Sequence, residues 1–179
     1  MPNIFFTSDL HFNHSNILKY DDRPYKTVDE MNEALIANHN AIVGKNDTVY
    51  NLGDFSMKGS PSAIADLRKR MNGNIFLLRG NHDRQFPGEG FGWVKDYHEM
   101  SIDGVNVVLS HYPFLTWNGE HRGSIQLSGH THSKEKVVRP NYKGIHVGVT
   151  SWDYKPVSWY EIKKLADSII PTVDFRGRN

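Results

Sequence analysis

Between residues 3 and 83, three short apolar runs alternate with two segments of helical periodicity. A parallel α/β arrangement accommodates that order, and an all-helical or all-β chain does not. The runs are "NIFFTS", "TVYNL" and "NIFLL". Thr27 with Glu30 forms a capping box, and Val28, Met31, Leu35 and Ile42 come next at helical spacing toward an end near Gly44. Ser60 as N-cap and Pro61 at the first helical position open a second helix bearing Ile64, Leu67 and Met71, with Gly73 beyond its end. Strand, helix, strand, helix, strand predicts parallel pairing through right-handed crossovers. After residue 83 the pattern changes, and "RQFPGEGFG" reads as a loop. Asp103-Gly104 is a hairpin turn between "EMSI" and "VNVVLS", and "SIQLS", "EKVVR" and "GIHVGVT" read as three further strands. Ser158 with Glu161 caps a last helix carrying Ile162, Leu165, Ala166 and Ile169. One domain is expected over residues 1–170, and residues 171–179 form a tail without a clear signal.

The polar residues directly behind the apolar runs are more telling than the runs themselves. "SDLH" stands behind the first, "LGD" behind the second, "RGNHD" behind the third, "SH" behind "NVVL", and "GHTH" behind "IQL". In an open α/β sheet, ligands bind beyond the carboxyl ends of the strands, so blocks spread over more than a hundred residues can converge in space. The candidate set is Asp9, His11, Asp54, Asn81, His111, His130 and His132. Seven oxygen and imidazole donors exceed what one four-coordinate ion needs and suit two ions sharing a carboxylate. Taken singly, an Asp or Asn behind a strand is an ordinary turn former or helix cap. Together the blocks hold five of the chain's ten histidines, which turn chemistry does not account for. Of the other histidines, His39 within a helix and His146 within a strand are read as structural.

Charge and cysteine content narrow the alternatives. With 21 basic against 20 acidic residues, and a formal charge of +1, the chain is neither a strongly basic nucleic-acid binder nor acidic. Without cysteine, a disulfide framework and a thiolate metal site are both excluded. The apolar start is four residues long, too short for a signal peptide or a membrane span, so a cytoplasmic protein without membrane contact is expected.

Asp9-Leu10-His11, Gly53-Asp54, Gly80-Asn81-His82-Asp83, His111 and Gly129-His130-Thr131-His132 stand in the order of five blocks of the calcineurin-like metallophosphoesterases, which the chain resembles over residues 4–149. The resemblance implies an α/β fold in which two mixed β-sheets pack as a sandwich flanked by helices. It also implies that Asp9, His11, Asp54 and His132 hold one divalent metal ion and that Asp54, Asn81, His111 and His130 hold a second, with Asp54 bridging. The second block lacks the Asp-Arg that phosphoprotein phosphatases carry after Gly-Asp, and the third ends in Asp83 where those enzymes have Glu, which argues against serine/threonine phosphatase activity. No added capping domain is expected, and in this the chain resembles the small stand-alone bacterial and phage members.

Charge dictates the chemistry of such a site. Two divalent cations, two aspartates and a bridging hydroxide leave a net charge near +1, which attracts a phosphate ester and stabilises its transition state. Water bound to such ions has a pKa lowered from ~15.7 to ~7, so hydroxide is available for in-line attack on phosphorus. His82 is the candidate general acid for the leaving oxygen, and Asp83 the candidate to orient its ring. Asn13, His14, Asn16 and Arg23 are the candidate substrate contacts, His14 foremost; Arg79, Arg84 and Arg122 are further cations without a specific assignment. The donor set accepts Mn, Fe, Ni, Co or Zn, with manganese the first ion to test. The expected function is two-metal phosphodiester or phosphomonoester hydrolysis of a small substrate, nucleotides included. A nuclease would need a local basic groove, and a non-catalytic scaffold would tolerate eroded ligand positions, of which there are none among the seven.

Overall fold

The computed structural model describes residues 2–57, 59–83, 88–139 and 141–170, so the 171–179 tail and Arg84 lie outside the described residues. The first three apolar runs form β1 (Ile4–Thr7), β2 (Thr48–Asn51) and β3 (Asn74–Leu78), mutually parallel, with Phe5 opposite Val49 and Val49 opposite Ile75. The connecting segments form α2 (Val28–Ile42) and α3 (Pro61–Lys69). The sheet is completed by two short strands that have no sequence pattern of their own: β4 (Val94–Lys95), parallel to β3, and β9 (Val157–Ser158), antiparallel to β1. Its order is β4-β3-β2-β1-β9.

The second sheet, of order β5-β6-β7-β8, contains β5 (Tyr97–Ile102), β6 (Val105–Ser110), β7 (Ile125–Ser128) and β8 (Gly144–His146). β5 and β6 form the hairpin, with Asp103 and Gly104 both at positive φ as its two-residue turn requires. β6, β7 and β8 then run parallel. Both sheets are therefore mixed, and helices flank them.

Alternation along the strands divides the core. Phe5, Val49, Ile75 and Leu77 point to one face of the first sheet, where Met31 and Leu35 of α2 and Ile64 of α3 cover them. Phe6, Tyr50, Leu52 and Leu78 point to the other face and meet Val107, Leu109, Ile125, Leu127 and Ile145 of the second sheet. The last helix, α4 (Trp159–Ser168), adds Trp159, Ile162 and Ala166 to that second core. The central strands are thus buried on both faces, which explains why they read as unbroken apolar runs. No described helix is long and apolar enough to cross a membrane.

Two expectations are corrected. "EKVVR" does not form a strand: Val137 makes an isolated bridge to Ile145. The last strand ends at His146, because Gly148 crosses to bridge Ser8 behind β1 and residues 149–151 then turn into a 3-10 helix. A one-turn helix, α1 (Ile17–Tyr20), follows His14.

Candidate metal centre

The five polar blocks leave the carboxyl ends of β1, β2, β3, β6 and β7, and the backbone ties them together. Asp9 N–H donates to Gly53 O (3.0 Å), His11 N–H to Asp54 O (2.9 Å), and Gly129 N–H to His111 O (2.9 Å). Two donor groups result: Asp9, His11, Asp54 and His132 offer ligand atoms that all lie within 4.8 Å of one another, and so do Asp54, His111 and His130. Asn81 joins the second, its Oδ1 lying 3.2 Å from His111 Nε2 and 3.1 Å from His130 Nδ1. Asp54 belongs to both groups, with Oδ2 at 3.5 Å from His11 Nε2 and at 3.5 Å from His111 Nε2.

This donor set fits divalent cations. His11 Nε2 and His132 Nε2 face each other at 3.1 Å beside the Asp54 carboxylate. Such convergence of lone pairs is compensated when a cation sits among them. Burial, with His132 and Arg23 beside it, pushes the His11 imidazole down to about 2, so it stays neutral and keeps a lone pair for a ligand bond. Burial, with His111 adjacent, also lowers His130. Burial alone would raise the Asp9 carboxyl, and nearby His132 and His111 only partly offset that, so a buried aspartate here calls for a strong positive partner.

The backbone is strained where the donors stand. Asp9, His11, Asp54, His130 and His132 all have φ between 50 and 70°, a region that residues with a Cβ seldom enter. His130 and His132 therefore do not reach the two groups along an extended chain, as one-residue spacing suggests. Each takes a left-handed conformation, and Thr131 N–H closes a tight turn onto Gly129 O (2.9 Å). A Cβ on Gly129 would lie 2.0 Å from Ser8 Oγ and 2.7 Å from Asp9 Oδ2, so the last block approaches the first only through a glycine.

His82 lies at the rim, its side chain 29 % exposed, with Nε2 3.9 Å from Asp54 Oδ2 and its backbone N–H donating to Asp54 Oδ1. Its ring centroid is 5.2 Å from that of His11 and 6.1 Å from that of His14. Asp83 has a different role from the one expected. Its buried carboxylate accepts from Asp54 N–H (2.6 Å), Gly80 N–H (2.9 Å) and Phe55 N–H (3.1 Å), pinning the second block to the third instead of orienting His82.

The substrate candidates separate as well. His14 stays beside His11 and His82. Asn13 Oδ1 accepts from the Asn32 amide (2.9 Å), and Asn16 is exposed at the start of α1 without a side-chain cap bond. Arg23 is turned inward: its buried guanidinium donates to Leu10 O (2.9 Å), Asp9 O (2.7 Å) and Asp21 Oδ2 (3.0 Å). It braces the first block from behind rather than facing the cleft.

Asp21 is the residue that sequence reasoning missed. Its Oδ2 lies 3.2 Å from His132 Nδ1, so a carboxylate held by Arg23 backs an imidazole whose other nitrogen faces the donor group. Burial pulls His132 down, but the bond to Asp21 and the charges of Asp9 and Asp21 outweigh it and leave its pKa raised. "YDDRP" carries no signal distinguishing Asp21 from a turn former. His146 stands closer to the site than its place in a strand suggests: it is fully buried, with Nε2 3.9 Å from Asp9 Oδ2 and Nδ1 2.9 Å from Ser151 Oγ.

Comparison with known proteins agrees with this geometry. The family model described as calcineurin-like phosphoesterase matches residues 2–119, which carry the first four blocks. An uncharacterized protein of Methanocaldococcus jannaschii is 37% identical over 172 residues, covering 93% of each chain. The Gene 66 protein of Mycobacterium phage D29 is 32% identical over 203 residues, covering 94% of this chain and 98% of its own. Among solved structures, a protein of unknown function from Aquifex aeolicus is 25% identical with a TM-score of 0.73, over 92% of this chain and all (100%) of its own. A structure described as a novel archaeal phosphodiesterase shares the fold at 17% identity and a TM-score of 0.52, over 84% of this chain and 86% of its own. The chain belongs to the calcineurin-like phosphoesterases and is a metal-dependent phosphoester hydrolase.

Proposed function

We propose that the protein hydrolyses a small phosphate ester, diester or monoester, with two divalent ions sharing the Asp54 carboxylate. The observation that carries this reading is the membership of Asp54 in both donor groups. Asp9, His11 and His132 would complete one coordination shell, and Asn81, His111 and His130 the other. When bound, the ions supply Lewis-acid charge against the phosphoryl oxygens and a water acidic enough to ionise near neutral pH. Neutral His and Asn donors leave most of that charge uncancelled. Asp83 and Arg23 hold the blocks in place through backbone contacts. His82, at the open edge of the site, donates the proton to the leaving oxygen, and His14 beside it contacts the phosphate. His130 is exposed and His82 and His132 are half-buried, so the site opens to solvent on their side.

The test is to strip the protein of metal, reload it separately with Mn, Fe, Ni, Co and Zn, and measure nitrophenyl phosphate monoester and diester hydrolysis. Asp54→Asn should lose more than about 100-fold in kcat/KM, above the ~10–100-fold that loss of an outer partner costs. His82→Ala should lose ~10²–10⁴-fold on alkyl esters, whose leaving groups need protonation, and much less on nitrophenyl esters. Unchanged hydrolysis by Asp54→Asn would overturn the shared-carboxylate mechanism, and equal loss on all esters would make His82 a positioning residue.

A further inference from the structure

An aromatic surface adjoins the second donor group. Immediately after His111, the Tyr112 side chain is 44% exposed, yet its ring centroid lies 4.6 Å from His130 and 5.0 Å from His111, edge-on to both. Phe114 and Leu115 continue the apolar surface at 38% and 76% exposure, and Tyr97 packs its ring 6.0 Å from Phe114. Contiguous exposed apolar side chains are unusual on a protein surface and mark contact sites when they border a functional cleft.

The loop that carries them is held in shape from below. Gln126 on β7 is buried, and its Nε2 donates to Ser110 Oγ (3.0 Å) and Tyr112 O (3.2 Å), while its Oε1 accepts from Phe114 N–H (3.2 Å). Ser110 Oγ in turn donates to Tyr112 O (2.8 Å). A buried amide is thus committed on both sides of Pro113, whose ring fixes its own φ. Tyr112 and Phe114 are presented at a set position beside the metal centre, so little conformational entropy is lost when a ligand packs on them.

We propose that Tyr112, with Phe114 and Leu115 beside it, is a stacking ledge for a planar ring on the ester substituent, so that the substrate is a nucleoside or other ring-bearing phosphate ester rather than an alkyl or sugar phosphate. This rests on the phosphoesterase reading, because the phosphoryl group must sit between the two donor groups for its substituent to pass His130 and reach Tyr112. A tyrosine ring offers a broad apolar face with a polar tip, which suits a heteroaromatic base.

Calorimetry on the manganese-loaded protein tests the ledge without turnover. The probes are the methylenephosphonate analogue of AMP, whose C–P bond is not cleaved, and its base-free ribose counterpart. Wild type should bind the base-bearing analogue more tightly, and Tyr112→Ala should raise the Kd of that analogue alone by about 5- to 150-fold, the range for loss of one stacked base. Tyr112→Phe should bind both as wild type does. Equal affinity of wild type for the two analogues, or an equal change for both in Tyr112→Ala, would overturn the ledge. Failure of the phosphoesterase reading is seen separately, as the absence of metal-dependent nitrophenyl ester hydrolysis by the wild type.

Discussion

Asp21 shows how a single side chain acts on a metal site that it does not line. The imidazole of His132 has two nitrogens, and the one bonded to Asp21 fixes the tautomer and aims the other at Asp9 and His11. Arg23 keeps the carboxylate in place while also gripping the backbone of Asp9 and Leu10. Asp21→Asn should therefore leave the fold intact and weaken manganese binding ~10–100-fold, as measured by calorimetry. Unchanged affinity would show that His132 is oriented by its backbone alone. At this scale the sequence revealed the donors and not their supports. A His or Asp behind an apolar run is visible as a pattern, whereas the Asp21 to His132 contact joins residues more than a hundred positions apart. The adjacency of His82 and Asp83 suggested a pair, but the tight turn after β3 sends one to the rim and the other beneath Asp54.

At the level of elements, the three longer helices announced themselves through their caps, and the one-turn α1 and the short strands did not. Ser158 and Glu161 form the full capping box at α4, and Ser60 with Pro61 opens α3. At α2 only half of the box forms: Thr27 accepts from Glu30 N–H, but the Glu30 carboxylate turns to Lys26 N–H. β4 and β9, with two residues each, are defined by pairing with β3 and β1 and have no periodicity to read. "EKVVR" has the composition of a strand, yet its side chains are largely exposed, and Lys136 lies over the Trp152 ring instead of lining a sheet. His39 is, as expected, structural. It docks α2 on the turn after α3 through Nε2 and Asn72 O (2.9 Å), and burial pushes it down from 6.5 to about 4. The unfolded chain takes up this proton before the folded one does, so stability is full above pH 6.5 and falls as pH drops toward 4. The effect is at most ~3 kcal/mol. Urea titrations of metal-free His39→Gln should show a shallower loss of stability across that window than wild type. An identical slope would exclude His39 as a source of acid lability.

Over the whole molecule, the two sheets meet at the metal centre. β1, β2 and β3 bring Asp9, His11, Asp54 and Asn81 from one sheet, β6 and β7 bring His111, His130 and His132 from the other, and Gly148 bridges Ser8 to lock the second sheet onto the first. Neither sheet holds a complete donor group: the first group draws His132 from the second sheet, and the second draws Asp54 from the first. This explains why blocks scattered along the chain could be recognised only as a set. The shared carboxylate is tested most directly by the number of manganese ions carried per chain, read by native mass spectrometry at saturating manganese. Two ions on wild type, and a marked loss of the two-ion species in Asp54→Asn, are predicted. A wild type that carries a single ion, or an Asp54→Asn variant that still carries two with undiminished affinity, would contradict a centre built on one shared carboxylate.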